Sequence, residues 1–199
     1  FMTPGVIILT AIFTSIFGGV NTLWDRRYGF MNKALTSPIS RSAIALGKMS
    51  AISLISALQA SLIIGIALAI GVNFPNPIMI IPIMGIVILF SLGFSGISVM
   101  VAATAKSQET FWGVINFLGM PLFMISPALF PLELLPDWLA MIAKLNPVTY
   151  TILLVREMMT GVSEGGIPII ISLGVLFAFV IVMAGIASYV FTREVNRPF

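Results

Sequence analysis

The 199-residue chain contains no cysteine and no histidine. Without thiols there is no disulfide framework, no thiolate metal site and no cysteine nucleophile. Without imidazole the commonest proton shuttle and metal ligand is missing as well. Charge is scarce: Asp, Glu, Lys and Arg make up 9% of the residues, against about 25% in an average soluble domain. So little charge cannot cover a water-facing surface. With 59% hydrophobic residues and a mean hydropathy of +1.12, the chain reads as an integral membrane protein. A phosphate-binding Walker A loop is also absent. Gly47-Lys48 is followed by Met49, and Ser42 stands where that motif needs its first glycine. ATP is therefore not bound by this chain through that route.

What is present is a series of long apolar runs. A crossing needs roughly 20 mostly apolar residues, and five segments meet that test: Gly5 to Leu23, Met49 to Val72, Ile78 to Ala103, Phe111 to Phe130 and Ile167 to Val190. None contains Asp, Glu, Lys or Arg, and Gln59 and Asn116 stand out as their polar side chains. Strand-like alternation is missing, so these segments are expected to be helices in an all-α polytopic transmembrane bundle, a single transmembrane domain over residues 1–199. The chain opens Phe1-Met-Thr-Pro-Gly5, with neither a start methionine nor the basic stretch of a signal peptide. It reads as lacking its natural N-terminus.

Positive charge is strongly sided. Half of the ten Lys and Arg residues, namely Arg26, Arg27, Lys33, Arg41 and Lys48, lie in the 24–48 loop. With five crossings, that loop shares a side with the 104–110 link and the C-terminal tail. Together these hold eight Lys/Arg, and the opposite connections hold Lys144 and Arg156. Cytoplasmic connections carry the basic excess, which puts the 24–48 loop and the C-terminus inside the cell membrane and the visible N-terminus outside. Both ends inside would require six crossings, five of them visible.

Two connections are more than turns. Residues 26–36 read as an amphipathic helix on the cytoplasmic surface, with Phe30, Met31, Ala34 and Leu35 on one face and Arg26, Asn32 and Lys33 largely away from it. Thr36-Ser37-Pro38 ends it, and Pro38 or Ser40 starts the next helix. This loop is an anchor on anionic lipid, a docking surface for a cytoplasmic partner, or both. On the other side, residues 131–166 are too interrupted to cross and too apolar to be a free loop. Two short amphipathic helices are expected there, one begun by Pro136 and Asp137, the next running from about Val148 to Gly161, with Trp138 and Tyr150 at the interface. Such helices would gate an exit or simply form a packed lid.

The absence of ionisable residues from the spans argues against a proton- or ion-coupled carrier, although backbone carbonyls can bind sodium. No Ser/His or paired-carboxylate arrangement suggests catalysis, and no metal site is expected. A passive channel or scaffold subunit and a membrane-embedded enzyme are the alternatives.

Two motifs carry a family likeness. The first is Trp24-Asp-Arg-Arg-Tyr-Gly29, continuing through Leu35-Thr-Ser-Pro-Ile-Ser-Arg41 to Leu46-Gly-Lys48. The second is Phe130-Pro-Leu-Glu-Leu-Leu-Pro-Asp-Trp-Leu139, followed by Leu145-Asn-Pro-Val-Thr-Tyr150 and Arg156. With the spacing of the spans, the chain resembles the transmembrane permease subunit of ATP-binding-cassette exporters of the type-2 class. One departure is Arg27, where members often carry an acidic residue. The resemblance implies a non-catalytic transport subunit and a coupling segment, Asp25, Arg26, Arg27, Gly29, Lys33, Pro38 and Arg41, seated in a partner ATPase. It also implies an outer gate of Pro131, Pro136, Trp138, Asn146, Pro147, Tyr150 and Arg156. A second permease copy and membrane lipid are the other implied partners, with no nucleic acid. ATP and Mg would be held by the ATPase and no cofactor by this chain. Substrates would be small hydrophobic compounds or lipids, on a pathway lined by groups such as Asn21, Ser53, Gln59 and Ser61.

Overall fold

The structure, a computed structural model, describes residues 2–30, 36, 38–72, 76–129, 131–161 and 166–194, apart from the side chain of Glu133. Among them are seven α-helices: α1 (Met2–Arg27), α2 (Arg41–Ala69), α3 (Ile80–Thr104), α4 (Gln108–Met124), α5 (Asp137–Ala143), α6 (Pro147–Thr160) and α7 (Ile169–Glu194). Single 3-10 turns cover Pro77–Met79, leading into α3, and Leu132–Leu134. The all-α bundle expected from the sequence is what the chain forms.

Local chemistry sets the helix ends. Arg26 and Arg27 occupy the last turn of α1, where cations suit the negative end of the helix dipole. The chain then turns at Gly29, whose φ of 77° favours glycine. The amphipathic helix expected from Arg26 therefore does not begin there. The hydrogen-bond ladder of α1 runs on through Arg27, and the turn at Gly29 ends it. Met31 to Leu35, including Lys33, lie outside the described residues. Ser40 caps α2 by accepting from the Ala43 amide at 3.3 Å, and Ser107 caps α4 through the Thr110 amide at 3.1 Å. Helix α4 stops at Met124, short of the expected Phe130. Pro127 disfavours helix at Ser126, and Pro121 already removes one donor from the last turns. At the end of α6, Gly161 adopts φ 73° and its amide closes on Glu157 O at 2.8 Å.

Helices α1, α2, α3 with its 3-10 lead-in, and α7 are long and apolar enough to cross a membrane. The 17 residues of α4 extend roughly 25 Å, the short end of a crossing. Helices α5 and α6 would make a further crossing only as one broken span, and they meet at 86°.

Helix α3 is the hub and packs against α1, α2 and α7. Its Phe90 and Phe94 are fully buried among Ile12, Ile16, Phe111 and Ile152. Close approach is bought with small residues: a Cβ on Gly19 of α1 would lie 2.7 Å from Ser98 Cβ and 2.9 Å from Phe111 Cζ. Helix α7 covers one side and turns Ile170, Phe177 and Ile181 outward, as a lipid-facing helix does.

Candidate functional site: a clamped basic end, a strapped opposite end and a cavity between

At the basic end, α1 and α3 are joined by one side chain. Arg26 Nη1 donates to Ala102 O at 2.8 Å and to Ala103 O at 2.5 Å. These carbonyls belong to the last turn of α3, where intrahelical partners run out. The guanidinium therefore caps a neighbouring helix. Asp25 turns toward α2 and accepts from Lys48 Nζ at 2.5 Å, in an ion pair that is partly exposed. Of the other residues expected in the coupling segment, Arg27 and Pro38 are exposed, Gly29 makes the turn and Arg41 opens α2. Lys33 lies outside the described residues. Next to this end, Glu109 has its carboxyl held below the usual carboxylate range, first by backbone amide hydrogen bonding and then by the Ser107 hydroxyl.

At the opposite end the short helices are strapped to the end of α4. Asn146 is buried. Its Oδ1 accepts from the Val148 amide at 3.0 Å, capping α6 ahead of Pro147, and its Nδ2 donates to Leu122 O at 2.5 Å. Arg156 is 1% exposed, and its Nη2 donates to Pro127 O at 2.7 Å in the turn after α4. Tyr150 Oη donates to Lys144 O at 2.5 Å and holds the bend between α5 and α6. Pro131 and Pro136 are not helical. They precede the 3-10 turn and α5 respectively, so Asp137, not Pro136, opens that helix. The expected pair of surface helices is in fact unequal. Helix α5 shows Trp138, Met141 and Ile142 outward, whereas α6 buries Val148, Ile152, Leu154 and Val155 in the main core. Helix α6 is buried along most of its length, and α5 buries only Ala143.

Between the ends, α1 and α2 wall a half-open cavity of about 520 Å³, the size of a small-molecule site. Phe13, Phe17, Ala51, Ile52 and Ile55 supply its apolar wall; Thr10, Thr14, Asn21, Gln59 and Lys48 supply polar groups. The Thr14 hydroxyl lies on Gln59 Oε1, and Phe17 meets Trp112 of α4 edge-on at 5.8 Å. Asn21 and Gln59, two of the four polar residues expected on a pathway, are brought together here. The other two are not: Ser53 is buried on Ser50 O at 2.8 Å, and Ser61 bonds Leu58 O at 2.7 Å on an exposed face. Thr10, Thr14 and Lys48 were not foreseen as lining. Thr10 and Thr14 had a signal in the sequence, since Thr10, Thr14, Phe17 and Asn21 repeat at three- and four-residue steps along one helix face; Lys48, on α2, did not.

Several apolar crossings packed round a buried hub, with a ligand-sized cavity between two of them, define a multi-pass helical membrane protein. Comparison with known proteins narrows this: residues 1–160 match the ABC-2 type transporter family, and the chain belongs to it. It is 32% identical over 153 residues to the transport permease ycf38 of Cyanophora paradoxa, covering 76% of this chain and 53% of that protein. It is 22% identical over 184 residues to the daunorubicin resistance ABC transporter permease protein DrrB1 of Streptomyces coeruleorubidus, covering 90% and 65%. With the linearmycin resistance permease protein LnrN of Bacillus subtilis it shares 26% identity over 144 residues, covering 72% and 37%. The chain thus spans about half the length of the ycf38 permease.

Proposed function

We propose that this chain is the permease subunit of an ATP-driven exporter, coupled through residues 24–48 to a separate ATP-binding subunit that holds ATP and Mg. The observation that carries this reading is the Arg26 clamp on the end of α3. A push on the 24–48 segment reaches α1 directly, α3 through Arg26 and α2 through the Asp25–Lys48 pair. The basic end of the bundle can therefore move as a unit, as a rigid-body switch between inward-open and outward-open states requires. Two permeases, each with its ATPase, would enclose the pathway in the cell membrane, with the C-terminus in the cytoplasm. Small hydrophobic compounds or lipids are the substrates that an apolar pathway suits, and the resistance permeases among the relatives agree with efflux.

The test separates coupling from folding. Arg27→Ala with Lys33→Ala leaves the Arg26 clamp in place. In full-length protein reconstituted with its ATPase, this variant is expected to keep its thermal stability and lose substrate-stimulated ATP hydrolysis. Unchanged stimulation would remove the 24–48 segment from the coupling role.

A further inference from the structure

The α1–α2 cavity has a chemical bias that a general hydrophobic pathway does not need. Lys48 is the one charged residue among its described lining residues, and Asp25, its ion-pair partner, is not part of the wall. An ammonium has three N–H groups, so the pair leaves donors for a ligand. The Asn21 amide makes no hydrogen bond among the described residues. Thr14 Oγ1 reaches both Thr10 O at 2.9 Å and Gln59 Oε1, and with its single proton on Oε1 the amide N–H groups of Gln59 are left for the cavity. The Thr10 and Thr22 hydroxyl protons are committed, to Val6 O at 2.6 Å and Gly18 O at 3.1 Å, which leaves those oxygens only as acceptors. The N–H donors left for a ligand are those of Lys48, Asn21 and Gln59, and they lie beside an aromatic and aliphatic wall of Phe13, Phe17, Ile52 and Ile55.

Position along the helices adds an axis. Lys48 and Gln59 are three turns apart on α2, roughly 16 Å, about half the thickness of a hydrocarbon core of about 30 Å. Lys48 sits at the basic, interfacial end, and Gln59 at mid-membrane depth. We propose that this cavity binds an elongated anionic amphiphile, with its acidic head on Lys48 and Asn21, its hydrocarbon against Phe13, Phe17 and Ile55, and an in-chain oxygen, where present, on Gln59. This deepens the exporter reading by naming a substrate class and rests on that reading for its consequence in transport. Binding itself stands apart from it.

The experiment uses the full-length protein with its partner subunit in phosphatidylcholine nanodiscs. A photoactivatable stearic acid is crosslinked, and the labelled residues are mapped by mass spectrometry. Saturable labelling on the cavity-facing residues of α1 and α2 is expected. Oleate or phosphatidylglycerol should compete, which of the two does so distinguishing a single-chain acid from a membrane lipid, and oleyl alcohol should not. Lys48→Met should weaken labelling by about tenfold, the worth of one charge-assisted hydrogen bond. Asp25→Asn breaks the same ion pair but leaves the ammonium, and should retain labelling. A purely structural Lys48 would give the two variants the same loss. 12-Hydroxystearate should outcompete stearate on the parent protein and lose that advantage in Gln59→Leu. Non-saturable labelling, equal competition by oleyl alcohol, or equal loss in Lys48→Met and Asp25→Asn would overturn the site. Vanadate-sensitive ATPase activity measured on the same discs reports on the exporter reading separately, so either can fail without the other.

Discussion

Arg26 at the end of α1 and Ala103 at the end of α3 are joined by a 2.5 Å hydrogen bond from Nη1 to the carbonyl oxygen, with Ala102 O sharing the same nitrogen at 2.8 Å. A residue that positive-inside counting treats as one charge among eight is thus a mechanical link between helices. Its neighbour Arg27 is exposed. Two adjacent arginines therefore carry different duties, and substitution can separate them.

Arg26→Ala should lower thermal stability in detergent by about 1–2 kcal/mol, because two α3 carbonyls lose a charged donor in a partly screened setting. Arg27→Ala should stay within about 0.5 kcal/mol of the parent, as exposed substitutions do. Equal melting temperatures for the two variants would mean that the clamp adds nothing to stability.

The strap at the other end predicts a graded series. Asn146→Ala removes both the cap on α6 and the tie to Leu122 O, and should cost about 2–4 kcal/mol. Asn146→Ser keeps a capping oxygen while losing the tie, and should cost about half as much. Identical losses would show that only the tie to Leu122 O matters.

Gly19→Ala tests the close crossing of α1 and α3. The added methyl would meet Ser98 and Phe111 at under 3 Å, and overpacking of this kind costs about 1–3 kcal/mol. Reduced yield and a lower melting temperature are expected. Parent-like stability would mean that the two helices separate easily.

Sidedness can be read by labelling, since the chain has no cysteine of its own. Lys106→Cys and Lys144→Cys both place a thiol at an exposed position. With a membrane-impermeant maleimide, Cys at 144 should react in intact cells, and Cys at 106 only after permeabilisation. The reverse pattern would invert the topology.

How much of this was legible beforehand follows from the physics of each feature. Long uncharged runs announce crossing helices because lipid leaves the backbone no alternative, and Ser40, Asn146 and Gly161 mark helix ends through local rules. The end of α4 was misread because Phe111 to Phe130 is uncharged and mostly apolar, and composition does not register the effect of Pro127 on Ser126. The Arg26 clamp and the burial of α6 depend on residues far apart in sequence, Ala102 with Arg26 and Ile152 with Phe90, which no local pattern encodes. The cavity lay between these cases. Asn21 and Gln59 were named from the sequence and the stripe that adds Thr10 and Thr14 was there to be read, but the place of Lys48 beside it needed the packing of α1 on α2.

The most direct test of the central claim is to purify the full-length protein from its own membranes in mild detergent and assay what comes with it. The account predicts a stoichiometric ATPase subunit with vanadate-sensitive hydrolysis, released or uncoupled when Arg27 and Lys33 are replaced. A homogeneous preparation without any ATPase, reproduced under gentler extraction, would contradict it and point to a channel or scaffold.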